Sequence, residues 1–529
     1  MSALRRERRG SGERSLGDAA ASGTRVTLAS QAVRVVVQVG SVAVLARLLT
    51  PAEFGLVAMV TAVLGIAEIL RDSGLMTAAV QAKTLSRDEQ TNLFWVNTGL
   101  GALCAAAGVA ATPLVVAAYG EERLAPLVVA LSVVFFISGV STQFRADLSR
   151  SLRFGALSVT DVTAQLAGVA AAVGTALAGG GVWALVAQQL VQALTACVAN
   201  AVSSDFRPGL PRRGAPLGRF FRVGGSLLGA RSISYVTQNI DNIALGVVAG
   251  PVQLGLYSRG YQLLMVPLAQ INTPLSRIAL PVLGRAHREG AGYEHYVARA
   301  QLAGCYVTAT VFAVAAGLAA PLVAVLFGPA WSAAAPVFAA LAVGGVFRAV
   351  QQLAYWLYVS SGSTGAQLRM SLATQPVIVA AILVGLHWGA LGVAVGHSAG
   401  YLVFWVVSLH LGARAAGVPA APLFRTAGRA LLLVALPVGS AAWLGGLVPG
   451  SPLLQIAAGL LAAAAAAGVV ALCAPAVRRD LDQVRRTALR VARGGGPRRP
   501  AAAATAPAVV DPQTSPTLPP TTPPAPPTA

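Results

Sequence analysis

Charged side chains are scarce in this sequence. Of its 529 residues only 11% are Asp, Glu, Lys or Arg, and acids number 19 against 39 basic residues. A soluble chain of this length would form several domains and would need far more charge to solvate them. Cysteine is just as rare. Cys104, Cys197, Cys305 and Cys473 all fall within apolar runs without metal-ligand spacing, so neither a disulfide framework nor a metal site is expected. There is no glycine-rich phosphate loop with its lysine, no pair of carboxylates in an extramembrane domain, and no nucleophile with His and Asp nearby. These gaps argue against an enzyme, a cofactor or an ATP-driven pump. The isolated His287, His295, His387, His397 and His410 lie mostly near loops or span ends, where structural roles are expected.

What the chain has in abundance is apolar surface. Hydrophobic residues make up 55% of it and the mean hydropathy is +0.67, the composition of a polytopic membrane protein. About fourteen apolar runs are long enough to cross a hydrocarbon core as helices. They are too long and too uniform for barrel strands, which alternate over about 10 residues. A net charge of +20 taken alone suggests nucleic acid, but its distribution does not. Arginines occupy alternate loops: the N-terminal tail, Arg87, Arg145 to Arg153, Arg207 to Arg222, Arg285 to Arg299, Arg369, Arg414 to Arg429 and the C-terminal tail. The intervening loops offer only Arg123. Basic loops stay cytoplasmic, which predicts both termini inside and an even number of spans. The N-terminal tail carries no cleavage signature, so the first span is expected to be retained. Arginine in place of lysine, with abundant alanine, points to a high-GC bacterial gene.

A repeat organises the spans. Leu28, Val36, Gln38, Leu45, Pro51, Gly55 and Leu56 recur 200 residues later as Leu228, Val236, Gln238, Leu245, Pro251, Gly255 and Leu256. Six spans separate the copies, so both hairpins face the same way and two parallel lobes are expected. The predicted fold is an all-α membrane protein with two six-helix lobes and two trailing helices. Its parts are a basic cytoplasmic tail (1–25), an N-terminal lobe (26–202), a basic proline-containing linker (203–222), a C-terminal lobe (223–411), two extra spans (412–475) and an Arg- and Pro/Thr-rich tail expected to be disordered (476–529).

Polar residues inside the spans mark a candidate site. On the seventh span Arg231, Ser234, Tyr235, Gln238, Asp241 and Asn242 share one helical face, and on the first span Thr27, Ser30, Gln31, Arg34, Gln38 and Ser41 do the same. A central arginine facing lipid costs about 2.5–3.5 kcal/mol on insertion scales, so these stripes should face protein or water. Arg259 on the eighth span, and Arg348 with Gln352 and Tyr355 on the tenth, are further candidates for a cavity wall. Arg47, Arg71 and Arg277 sit closer to span ends, where they can reach headgroups. Guanidinium groups bind phosphate bidentately, so Arg34, Arg231, Arg259 and Arg348 predict an anionic, phosphate-bearing cargo. Asp241 and Glu68 are candidates for ion coupling. The competing reading is that each polar residue only bonds a neighbouring helix.

The segment from Arg47 to Gly101, with TPAEFG, RDSGL and LFW, and that from Asp241 to Pro281, with LYSRGYQL and LSR, resemble the lipopolysaccharide and exopolysaccharide flippases, the Wzx-like transporters of the MOP exporter superfamily. Phe327 to Gly345 fits the same pattern. The resemblance implies two six-helix lobes forming a V. It also implies transfer of polyprenyl-pyrophosphate-linked oligosaccharide between leaflets of the bacterial cytoplasmic membrane by alternating access. Implied partners are the lipid-linked glycan, membrane lipids, and glycan polymerase and glycosyltransferase enzymes. Three alternatives remain at this point: a multidrug-type antiporter of the same superfamily, a membrane glycan polymerase or glycosyltransferase, and an envelope-assembly scaffold. A drug exporter should favour an acidic or aromatic cavity, and an enzyme a sizeable extramembrane domain.

Overall fold

The structure, a computed structural model, describes residues 31–71, 75–82, 84–212, 218–290 and 292–492. The basic tail (1–25), part of the linker (213–217) and the Pro/Thr-rich segment (493–529) lie outside the described residues. Residues up to Leu481 form one compact unit and those from Asp482 a second, of which 482–492 complete a helix. Among the described residues every regular element is helical.

Helix α1 (Gln31–Leu48) is followed by α2 (Pro51–Arg71), α3 (Leu75–Gln81), α4 (Arg87–Ala110), α5 (Thr112–Tyr119), α6 (Leu124–Arg150), α7 (Phe154–Leu177) and α8 (Trp183–Ser203). Within this N-terminal lobe α4 packs on α6, α6 on α8, and α7 on α8. Helix α9 (Gly218–Glu289) breaks at Gly250, whose φ of 77° only glycine adopts readily. Its two arms fold back on each other, bringing Tyr257 against Asp241. Then come α10 (Tyr293–Gly317), α11 (Ala319–Leu326), α12 (Ala334–Val350), α13 (Gln352–Ser360), α14 (Thr364–Gly385) and α15 (Gly389–Ala415), with α12 packed on α10 and α15, and α14 on α15. Helices α16 (Ala420–Arg429), α17 (Leu436–Gly445), α18 (Pro452–Cys473) and α19 (Pro475–Ala492) complete the chain, α17 lying against α10 and α18.

Among the described residues, eleven helical stretches are long and apolar enough to cross a membrane. Two of them, 51 and 52 residues long, each contain a break, at Gly250 and at Leu386–Trp388, and α2 is a further apolar helix. The arrangement is compatible with the fourteen spans expected from sequence.

The start of α2 explains the TPAEFG motif in physical terms. Thr50 and Glu53 form a reciprocal cap: the Thr50 backbone N–H donates to Glu53 Oε2 at 2.7 Å, and Pro51 occupies the first turn, where a missing N–H costs nothing. Gly55 then allows the tightest glycine approach among the described residues. A Cβ there would run into the Pro251 carbonyl of α9, and one on Gly255 into the Pro51 carbonyl of α2. The two copies of the repeat therefore cross backbone to backbone, each glycine under the other's proline. Around this crossing lies a continuous buried cluster drawn from both lobes, including Leu45, Phe54, Leu56, Met59, Leu254, Leu256, Trp331 and Phe338. Trp331 Nε1 donates to Ala46 O at 2.7 Å, and Arg47 Nη2 to Val325 O at 2.7 Å. Arg47, although exposed, thus ties the lobes together. At the other, arginine-rich end Phe220 of α9 packs with Leu75, Ala78, Ala79 and Leu93 of the N-terminal lobe.

The charge asymmetry between the two ends is sharper in the fold than in the sequence. Arg123, the one arginine in the loops at the crossing end, donates to both carboxylate oxygens of Glu121 at 2.7 and 2.8 Å and holds that carboxyl below its usual range. Replacing Gly55 or Gly255 by Ala should destabilise the protein by about 1–3 kcal/mol through overpacking. Because both methyls would push apart the same two backbones, the double variant should cost less than the sum of the singles, as thermal unfolding in detergent will measure.

Candidate functional site

A polar cavity of ≈ 530 Å³ lies beside the crossing, between the lobes. Its apolar end is formed by Leu45, Phe54, Val57 and Leu185. The rest is almost all carboxamide: Gln38 from α1, Gln165 from α7, Gln188, Gln189 and Gln192 from α8, and Gln262 from α9, with the Ser41 hydroxyl. One charged residue lines it. Arg259, one helical turn beyond Gly255, places its guanidinium 4.6 Å from the centre of the Phe54 ring, across the lobe boundary. Arg259 has no anionic partner among the described residues, and its Nε is buried without a hydrogen-bond acceptor. Gln262 Oε1 is likewise unpartnered. Stacking on an aromatic face holds a guanidinium while leaving its N–H edge free to bind an anion. The amides around it can donate to and accept from hydroxyl groups.

The other sequence candidates are placed elsewhere. Arg34 is paired: Nη1 donates to Asp161 Oδ2 at 2.9 Å, Gln31 also accepts from this guanidinium, and Arg145 donates to Asp161 at 2.6 and 3.2 Å. Gln165 Nε2 donates to the Arg34 carbonyl at 3.1 Å, so this ion triad abuts the cavity wall. Arg348 belongs to a separate cluster inside the C-terminal lobe. It donates to Tyr261 OH at 2.8 Å and lies 4.9 Å from the Tyr401 ring centre. His397 sits against the same two tyrosines, at 4.7 Å from Tyr401 and 5.6 Å from Tyr261. Asp241, 2% exposed, accepts from Tyr257 OH at 2.6 Å and from the Asn242 backbone N–H at 2.8 Å. Gln352 donates to Ser276 Oγ at 3.2 Å beside a small pocket between α9, α10, α12 and α13. Glu68 lies on the exposed side of α2. The side chains of Arg231 and Gln238 lie outside the described residues, although α9 is helical through both positions. Of the sequence candidates, the structure brings Gln38 and Arg259 to one cavity.

Sequence reading missed Asp161, the glutamines of α8, and the aromatic cage around Arg348. An acid within a predicted span is itself a signal, since it must find a partner. The triplet Gln188, Gln189 and Gln192 in an apolar run is another.

A family model described as polysaccharide biosynthesis protein matches residues 44–336. The chain belongs to this family. The match takes in the Gly55–Gly255 crossing, Phe54, Arg259 and the α8 glutamines, so most of the cavity lies within the part that defines the polysaccharide biosynthesis family. The chain is 25% identical over 391 residues to the lipopolysaccharide biosynthesis protein WzxC of Escherichia coli strain K12, covering 69% of this chain and 74% of that one. It is 25% identical over 334 residues to the teichuronic acid biosynthesis protein TuaB of Bacillus subtilis strain 168, covering 62% and 68%. It is also 26% identical over 309 residues to the succinoglycan biosynthesis transport protein ExoT of Rhizobium meliloti strain 1021, covering 57% and 61%. Its fold is similar to that of the lipid II flippase MurJ in an inward closed conformation, with a TM-score of 0.66 over 84% of this chain and 98% of that one at 11% identity. An inward-facing multidrug MATE transporter of the MOP superfamily gives a TM-score of 0.57 over 74% and 96% at 15% identity. The expected all-α, two-lobed membrane fold is thereby established.

Asp161 is the only acid bonded to Arg34 and Arg145 among the described residues. Asp161→Ala should cost about 1–3 kcal/mol, between exposed and fully buried ion pairs, because Arg34 remains a third exposed. Pairing Asp161→Asn with Arg34→Gln should recover part of that loss in thermal unfolding.

Proposed function

We propose that this protein carries a lipid-linked oligosaccharide across the bacterial cytoplasmic membrane, with the diphosphate of the lipid held by Arg259 and the sugars by the surrounding amides. The observation that carries this reading is an unpaired guanidinium in a carboxamide-lined cavity between two lobes of a polysaccharide biosynthesis protein. A phosphate supplies the anionic partner Arg259 lacks, and two of its oxygens can accept the paired N–H groups of a guanidinium. Glutamines suit the mixed donors and acceptors of sugar hydroxyls. WzxC, TuaB and ExoT carry names from envelope or secreted polysaccharides.

The arginine-rich ends of the helices are assigned to the cytoplasm, with both termini, and the Gly55–Gly255 crossing to the outer side. The cavity then lies just inside a closed outer end, and alternating access requires the crossing to part. Energy comes from an ion gradient, the membrane potential or the cargo gradient. Asp241, buried beside Tyr257 in the C-terminal lobe, is the group proposed to couple an ion. Glycosyltransferases and a polymerase act before and after the carrier. The multidrug reading fits less well, because no Asp or Glu lines the cavity to attract a cation.

Arg259→Ala should reduce surface glycan at least about tenfold, the loss of a charged hydrogen bond, while Arg259→Lys should retain a measurable part. Deletion of the gene should leave lipid-linked oligosaccharide on the cytoplasmic leaflet, read by labelling each leaflet of everted and right-side-out vesicles. Normal surface glycan in the alanine variant would remove Arg259 from the path.

A further inference from the structure

A second polar pocket, of ≈ 310 Å³, lies wholly within the N-terminal lobe and is distinct from the cavity at Arg259. Its walls are built from the faces of four helices, with Leu75 and Met76 of α3 forming an apolar side. Ser138, Ser141, Thr142 and Arg145 recur along α6 at spacings of three and four, on one side of that helix. Asn200 comes from α8, where Ala193 and Ala196 leave room, and Asn97 from α4. Asn97 is held in place by close helix packing, since a Cβ on Gly139 would lie 2.6 Å from its carbonyl oxygen. Asn97 is 3% exposed and Asn200 1%. Asn200 donates to Ser141 Oγ at 3.2 Å, yet its Oδ1 has no partner, and neither has Asn97 Nδ2. A buried acceptor and a buried donor thus stand unsatisfied in one hydroxyl-lined pocket, an arrangement that a fold keeps at a cost unless a ligand completes it.

We infer that this pocket is a sugar subsite, which receives one ring of the cargo's glycan. The inference rests on the carrier reading and adds to it a place where the glycan itself is recognised. Hydrogen-bonding capacity decides the ligand class. The one cation in the wall, Arg145, directs both of its Nη groups to Asp161, at 2.6 and 3.2 Å, so the edge that would grip a phosphate is already occupied, unlike that of Arg259. The same guanidinium discourages a metal cation. An uncharged ring with several hydroxyls matches the amides and hydroxyls that line the pocket. Position agrees with this. Arg145 and Asn200 lie near the ends of α6 and α8 that lead into the loops 151–153 and 204–212, at the arginine-rich end where cargo is loaded. From there the Arg145–Asp161–Arg34 triad leads to Gln165 and the inter-lobe cavity. Polar groups thus link the pocket to the wall of the cavity that Arg259 lines.

The test uses the full-length protein in nanodiscs and two probes, undecaprenyl pyrophosphate alone and undecaprenyl pyrophosphate bearing a dihexose. Wild-type protein should bind the sugar-bearing probe about tenfold more tightly, and Asn97→Ala or Asn200→Ala should each cut that advantage about fivefold while leaving the bare probe unaffected. Arg259→Ala should weaken both probes. A Ser138→Cys variant adds a readout that leaves both asparagines in place: the sugar-bearing probe should slow its alkylation by a water-soluble maleimide, and the bare probe should not. Equal binding of the two probes to wild-type protein, equal loss of both in the asparagine variants, or equal protection of the cysteine overturns the subsite and leaves the role of Arg259 standing. Binding of neither probe to wild-type protein overturns the carrier reading and the subsite together.

Discussion

The contact on which the rest of the structure depends is the crossing of Gly55 and Gly255. Lipid tails are as apolar as leucine, so helices in a bilayer gain little from hiding hydrophobic side chains and associate through close packing. Two glycines, each facing the other helix's proline carbonyl, let the backbones approach more closely than any side chain would permit. The sequence around them is organised to hold that point. Thr50 and Glu53 cap α2 just before it, Gly250 turns α9 just before it, and Phe54 and Arg259 lie beside it on opposite lobes. Copies of one hairpin meeting around an axis must touch at equivalent residues, which is why the 200-residue repeat and the tightest contact coincide.

Charge is distributed with the same economy. Burying a guanidinium without a partner is expensive, and most of the described intramembrane arginines avoid it. Arg34 and Arg145 share Asp161, while Arg348 takes a tyrosine hydroxyl and an aromatic face. Arg259 has the Phe54 ring and a group of neutral amides. Against the paired arginines, its unpaired state is the departure on which the proposed binding role rests. A site that already held its counter-ion would have to exchange it on every cycle.

How much of this was legible follows from what a single helix can reveal. Hydropathy and alternate arginine-rich loops gave the membrane fold, and the repeat gave two parallel lobes, because both are properties of segments. The polar stripe on α1 was also readable, since it needs only helical period. What the stripe faces was not. Arg34 and Gln38 are one turn apart on the same face, yet one is paired with an acid on α7 and the other opens on the cavity. That difference is set by helices distant in sequence. Arg348 looked like a cavity residue for the same reason, and the tyrosines enclosing it come from α9 and α15. Arg47 looked like a headgroup anchor by its position near a span end, but its acceptor is a carbonyl of the opposite lobe.

The placement of Arg259 and Phe54 on different lobes has a consequence for any opening of this end. Separating α2 from α9 unstacks the guanidinium from the ring and at the same time breaks the Trp331–Ala46 and Arg47–Val325 hydrogen bonds. The aromatic face that holds the cation is therefore lost as the seal opens. An anion on Arg259 gains in one state from a guanidinium fixed by its stack, and in the other meets one free to move and open to water, where charge attraction is weaker. Only such a difference in affinity between states can turn binding into directed release. Here the seal and the holding of the charged group are made by adjacent residues, so neither can change without the other.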